Sequence, residues 1–337
     1  MNNYLDTFIN GYTGYFNYLM YEIANPNLHN YFYWLLLVSV FFFALEWFAP
    51  WRKDQAKFRK DFWLDVFYMF FNFFLFSLII YNAASDVIVL LLHDLLDLVG
   101  ITNLVAIEVQ SWALWAHLLL GFVVRDFVQW NIHRLLHRTP FLWEFHKVHH
   151  SVEEMGFAAH LRYHWMENVV YRSLEYLPLA LIGIGLNDFF IIHIFTLAVG
   201  HYNHSNISVS GRVTGSVFGL LVGIFIVSQW GYVNSTENVL LLIGTTLFGF
   251  GVLSHFMKYL FNSPEMHIWH HAYELPENHP HGMNYGLTLA CWDYLFGTAY
   301  IPHNGRDIRL GFPGVEDFPD DFVGQNLNGF GRKSAKK

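Results

Sequence analysis

The sequence predicts an all-α integral membrane protein, a multi-span helical bundle of about 5–7 membrane segments carrying a histidine-rich two-metal site on its cytoplasmic side. Three observations lead there. The chain has 337 residues, of which 54% are hydrophobic, 19% aromatic and only 14% charged, and its mean hydropathy is +0.28. Long apolar runs alternate with short loops whose charge changes sign. All but three (His29, His93 and His117) of the 20 histidines lie between His133 and His303. One cysteine, Cys291, excludes an internal disulfide framework and a thiolate-built metal site. A net charge of −8 argues against a nucleic-acid partner.

The elements follow in order. The first 29 residues hold no Lys or Arg, so the positive start of a cleavable signal is missing and the first span is expected to direct insertion. Tyr31 to Pro50 is apolar and aromatic nearly throughout, long enough to cross a hydrocarbon core of roughly 30 Å. "WRKDQAKFRK" then places five cations in ten residues. Phe62 to Leu92 is the next apolar stretch, and the acidic loop after it lacks Lys and Arg. Trp112 to Trp130 returns, interrupted by Arg125 and Asp126. Counting cations across these loops puts the N-terminus outside and the histidine region inside. Val169–Gly183 and Asp188–Gly200, of marginal length, flank the turn "GIGLND"; Val213–Trp230 and Val239–Phe256 flank the polar turn "GYVNSTEN". Each pair returns the chain to the same side. Short loops favour a bacterial inner membrane over the endoplasmic reticulum. The expected organisation is residues 1–111 as N-terminal spans, 112–302 as the catalytic region and 303–337 as a polar tail ending in "GRKSAKK".

The histidines fall into clusters. His133 and His137 are four apart; His146, His149 and His150 follow i, i+3, i+4, and His267, His270 and His271 repeat that spacing. On a helix each cluster occupies one face, with Cβ atoms about 5–6 Å apart, close enough to share a metal. His201 and His204, and His160 and His164, form lesser pairs. A lone HxxxH at a membrane edge is more often an interfacial feature than a site. Two HxxHH boxes and an HxxxH on one side are not readily explained as packing, because clustered imidazoles repel once protonated. Imidazole-rich sites suit Zn, Cu, Fe or Ni, and the number of histidines suffices for two ions. His193 reads as core; His160, His255, His279, His281 and His303 stay open, and nearby carboxylates such as Glu167 read first as solvated or paired.

These residues resemble the fatty acid hydroxylase/sterol desaturase superfamily of membrane non-haem di-iron oxygenases, over about residues 112–302. "HRLLH", "HKVHH" and "SPEMHIWHH" look like its three histidine boxes. "LRYHWMEN" is similar to a segment of form R-x-H-P-x-E, with Trp165 in place of the proline, and "HSN" at 204–206 resembles another family element. "MNYG" and "CWDYLFGT" look like its closing segments. The resemblance implies metal ligands at His133, His137, His146, His149, His150, His164, His201, His204, His267, His270 and His271. It implies two iron ions (zinc being a substitute in purified protein), O2 as co-substrate, and hydroxylation or desaturation of a C–H bond in a sterol, fatty acyl or alkyl lipid. Electrons would come from a partner of cytochrome b5, ferredoxin or reductase type. About sixty residues separate "HSN" from the third box where family members often have few, so residues 213–256 are expected to be an inserted membrane hairpin. Two rivals come from other classes: a histidine-rich metal transporter, whose site would sit at mid-membrane on broken helices, and a zinc-dependent lipid hydrolase or binding protein.

Overall fold

The computed structural model describes residues 2–230 and 235–331. Part of the turn read at 231–238 and nearly all of the basic tail therefore lie outside the described residues. Within them the chain is helical and has no strands, only two isolated bridges.

A helix that the charge pattern did not reveal comes first: α1, Asn2–Ala24. It lies along α4 (Asn82–Leu98), and Tyr4 donates to Asp94 over 2.5 Å. α2 spans Tyr31–Phe48, with the Asn30 side chain accepting from the Tyr33 amide at its start. α3, Phe62–Phe70, runs into α4 through two π-turns, Phe71–Leu75 and Ser77–Tyr81. Asn72 in the first π-turn donates to the carbonyls of Leu161 (3.1 Å) and Tyr163 (2.8 Å), which anchors this widened stretch. Such turns recur at functional sites.

α5, Leu114–Arg138, is continuous from the apolar run into the first histidine pair. It ends because Thr139 precedes Pro140: proline disfavours helical backbone in the residue before it but suits a first helical position. Thr139 is extended, and α6, Pro140–His150, starts there in a new direction. α7 (Trp165–Leu181) and α8 (Leu186–His204) are joined by a tight turn in which Gly183 takes a positive φ of 71°. α9 (Gly211–Trp230) and α10 (Ser235–Gly251) pack closely, because a Cβ on Gly215, Gly219 or Gly249 would overlap the facing helix backbone. Four helical stretches are long and apolar enough to cross a membrane: Tyr31–Phe48, Phe62–Ile79, Gly211–Gln229 and Thr236–His255.

The remainder consists of shorter helices and loops. α11 (Met257–Leu260) leads to α12 (Pro264–His270), capped by Ser263, and α13 (Cys291–Leu295) follows. Residues after 302 pack back on the bundle: Phe312, Val315 and Phe318 cluster with Tyr68 and Val148. The last helix, α14 (Phe322–Gly331), is tied down where Tyr68 donates to Gln325 (2.9 Å) and Asn326 donates to Tyr68 (2.9 Å).

Candidate metal centre

Nine histidines converge into two adjacent groups. The first holds His133 and His137 from α5, His146 and His150 from α6, and His270 from α12; the second holds His149, His204, His267 and His271. Within each group one ring nitrogen per residue lies within 4.8 Å of the others. The two HxxHH boxes are split between the groups in opposite senses. In the first box the i, i+4 pair His146 and His150 faces the first group and His149 the second. In the second box His267 and His271 face the second group and His270 the first. The groups touch through rings of opposite boxes: His150 stacks on His271 with centroids 4.5 Å apart.

Each box is oriented by acceptors outside the groups. Nδ1–H of His133 donates to the Tyr285 carbonyl (2.8 Å), that of His270 to Met283 (2.7 Å), that of His149 to Arg162 (3.0 Å) and that of His204 to Gly200 (2.8 Å). His146 Nδ1–H donates to Glu167 Oε2 at 2.8 Å. These bonds fix the tautomer and turn each Nε2 lone pair inward, the arrangement found for metal-bound imidazole. Nε2 of His137, His146, His150 and His270 is buried and has no hydrogen-bond partner. In the second group Nε2 of His204 lies 3.3 Å from that of His149 and 3.0 Å from that of His267. His149 and His204 both spend their proton on a carbonyl, so two lone pairs meet there; a shared cation resolves the conflict. The residues present therefore fit two metal ions. Burial, reinforced by neighbouring imidazoles, holds His146, His150, His270 and His271 neutral well below the usual histidine range and pushes His149 down to about 3. Neutral imidazole is the form that binds metal.

The loop that carries two of the accepting carbonyls is itself clamped. Asn284, at a φ of 54°, donates to Met266 O (2.9 Å) and Tyr300 O (2.7 Å). The buried Asp293 carboxylate accepts from Tyr285 N (2.9 Å), Gly286 N (2.7 Å), Trp130 Nε1 (3.0 Å) and Thr298 Oγ1 (2.6 Å). "MNYG" and "CWDY" are thus the frame that positions His133 and His270. Arg162 plays a like part beneath His149, buried against Asp61 (3.0 Å), Asp65 (3.2 Å) and Ser151 (2.9 Å).

A profile of the fatty acid hydroxylase family matches residues 118–298, more than half of the chain and all nine clustered histidines. The chain belongs to this family. It is also similar to the ornithine lipid hydroxylase OlsE of Rhizobium tropici, 26% identical over 228 residues; the match covers 68% of this chain and 54% of that relative. The chain thus aligns with about half the length of that relative. No solved structure matches the chain.

Two of the expected family ligands lie outside both groups. His164 caps α7: its Nδ1 accepts from the Met166 amide (3.0 Å) and its Nε2–H donates to Asn326 O (2.9 Å), so neither nitrogen is free. His201 has its Nε2 3.1 Å from Ser39 Oγ and its Nδ1 3.0 Å from His160 Nδ1. His160 packs beside His204, with rings 5.2 Å apart, without joining a group. His255, His281 and His303 are exposed, and His279 is half-buried against Tyr300. Glu167, grouped with carboxylates that read first as solvated, is buried against His146.

A cavity of about 370 Å³ opens onto the histidines, with His133, His146, His149, His204 and His267 in its wall. Its other walls come from α1, α2, the π-turns, α5, α7 and α8. His193, which reads as core in the sequence, borders this cavity and meets Arg125 Nη2 at 3.0 Å.

Proposed function

We propose that this protein is a membrane-bound oxygenase that hydroxylates a C–H bond of a lipid, using two iron ions held by the two histidine groups at the cytoplasmic side. The observation that carries the reading is the set of buried, partnerless Nε2 atoms facing one another beside a cavity able to admit part of a substrate. In this reading His133, His137, His146, His150 and His270 hold one ion and His149, His204, His267 and His271 the other. Bound iron would supply the reduction of O2 and the cleavage of the C–H bond. The balance is one lipid C–H, one O2, two electrons and two protons in, with a lipid alcohol and water out. Electrons come from a separate redox protein that reaches the polar face.

The chain's own residues do the rest. The carbonyls of Tyr285, Met283, Arg162 and Gly200 and the Glu167 carboxylate keep the imidazoles neutral, oriented and basic at Nε2. The cavity lets a substrate approach from the bundle interior while the closing segments cover the opposite side. The lipid chemistry in the name of the Rhizobium tropici relative favours hydroxylation of a polar lipid over desaturation.

The test is expression in a host lacking such an enzyme, with mass spectrometry of total lipids under air and under nitrogen, alongside metal analysis of the purified protein. A lipid gaining one oxygen only under air, and about two irons per chain, is expected. Loss of two hydrogens would show desaturation instead. Protein that retains iron but oxidises no lipid under reducing, aerobic conditions would refute the oxygenase reading.

A further inference from the structure

The cavity is lined by more apolar than polar surface, yet charged and polar side chains recur along it where a channel for an alkyl chain needs none. Three helices and α2 build it in tiers that follow the helical repeat. On α5, Arg125 and Gln129 precede His133 by eight and four residues; on α7, Arg172 and Glu175 follow Glu167 by five and eight; on α8, His193 and Thr196 precede His204 by eleven and eight. At 1.5 Å per residue, Arg125, Glu175 and Thr196 form a tier about 12 Å from the histidines, with Arg172 between, about 7–8 Å along α7.

That far tier is internally satisfied. Arg125 is paired with Glu175 and donates to Thr196 Oγ1 at 2.6 Å, and Gln129 donates to Glu175 at 3.2 Å. Arg125, Glu175 and Gln129 are all buried. Charges built into the core of a membrane bundle mark substrate paths. Arg172 is different: it lies over the Tyr81 ring, 4.8 Å from the centroid, with the Tyr81 hydroxyl as a neutral partner, and no carboxylate is within ion-pair distance of it among the described residues. Also on the cavity wall, the Tyr31 hydroxyl is buried without a hydrogen-bond partner, its ring stacked 5.1 Å from His193. A further cavity-lining acceptor, Asn203 Oδ1, is likewise partnerless. A guanidinium with no carboxylate partner among the described residues and a hydroxyl with no hydrogen-bond partner, both on the cavity wall, form a receptor for an anion.

Resting on the oxygenase reading above, we propose that Arg172 and Tyr31 bind the anionic group of a lipid headgroup, carboxylate or phosphate, so that the polar end of the lipid rather than its acyl chain faces the histidine groups. The oxidised carbon then belongs to the headgroup, within a few bonds of the anionic group.

Two measurements test this on the full-length protein. Tandem mass spectrometry of the oxygenated lipid locates the added oxygen. A headgroup fragment carrying it is expected; an acyl fragment carrying it overturns the inference while leaving the oxygenase intact. Absence of any oxygenated lipid removes both readings. In the second, N-palmitoylglycine, palmitoyl phosphate and neutral monopalmitoylglycerol are titrated into purified holoprotein in detergent. One of the anionic probes should bind about ten- to a hundredfold more tightly than the neutral one, and the tighter of the two names the anion. Arg172→Met should erase that difference with metal content unchanged, and Tyr31→Phe should reduce it. Equal binding of charged and neutral probes by the unaltered protein overturns the assignment, as does undiminished preference in a folded Arg172→Met protein; should that variant not fold, Tyr31→Phe and the oxygen position decide.

Discussion

Glu167 offers the sharpest perturbation of the metal centre, because it touches one group and not the other. Its Oε2 accepts from His146 Nδ1 at 2.8 Å, with both side chains almost wholly buried, while every other ring acceptor identified in the groups is a backbone carbonyl that mutation cannot remove. Glu167→Ala leaves the His146 ring free to rotate and to move its proton to Nε2. Removing such a partner typically weakens metal binding by about 10- to 100-fold, or roughly 1.4–2.8 kcal/mol. Glu167→Gln keeps an acceptor oxygen but no charge, and belongs at the lower end of that range. Only one of two metal equivalents should respond, since His149, His204, His267 and His271 do not contact Glu167. Stepwise chelation of the anaerobic protein, read by metal analysis, resolves the two equivalents: unaltered protein should release them close together and the variant should release one early. Equal weakening of both ions, or of neither, would refute the reasoning that His146 serves one group through Glu167.

Three other outcomes follow from the same geometry. Asp293→Ala strips a buried acceptor from four donors and should cost about 3–5 kcal/mol in thermal or denaturant unfolding, with metal loss, since the Tyr285 loop holds His133. His164→Ala should cost about 1 kcal/mol as a lost helix cap and leave metal content unchanged; loss of an ion would make it a ligand after all. Replacing residues 213–256 by a short linker should retain both ions, because among its larger contacts α10 meets only α9 and the turn that follows it; metal-free protein would show that the hairpin supports the site.

The histidine boxes were legible because metal ligation imposes what sequence records well: one residue type at helical spacing. The resemblance also implies ligands at His164 and His201, which stand outside both groups, one capping α7 and one beside the Ser39 hydroxyl. Assigning ligands to individual ions was beyond the sequence, since the reading that i, i+3 and i+4 share a face hides a rotation. From i to i+4 the helix turns about 400°, leaving the two side chains about 40° apart, whereas i+3 lies about 60° to the other side. That difference divides each box between the two histidine groups. Helix α1 escaped notice because its apolar face is diluted by asparagine, threonine and glycine, and it depends on packing against α4 rather than on hydrophobicity. The folded stretch after residue 302 escaped for a related reason: its anchors, Phe312, Val315 and Phe318, are isolated among polar residues.

Two different demands meet in α5, α7 and α8. Their ends nearest the histidines or Glu167 hold imidazoles neutral and oriented, the form that metal binding asks for. Their middles carry arginines, a glutamate and a histidine in a bundle that four apolar stretches embed in a membrane. Packing alone would favour leucine at such positions, since a buried ion pair gains little over apolar residues of like volume. Stability therefore does not account for Arg125 and Glu175, and still less for Arg172, which has no acidic partner among the described residues. A substrate that brings its own charge, as proposed above, would account for Arg172 by supplying the missing acid when bound, with the paired Arg125 and Glu175 closing the cavity behind it.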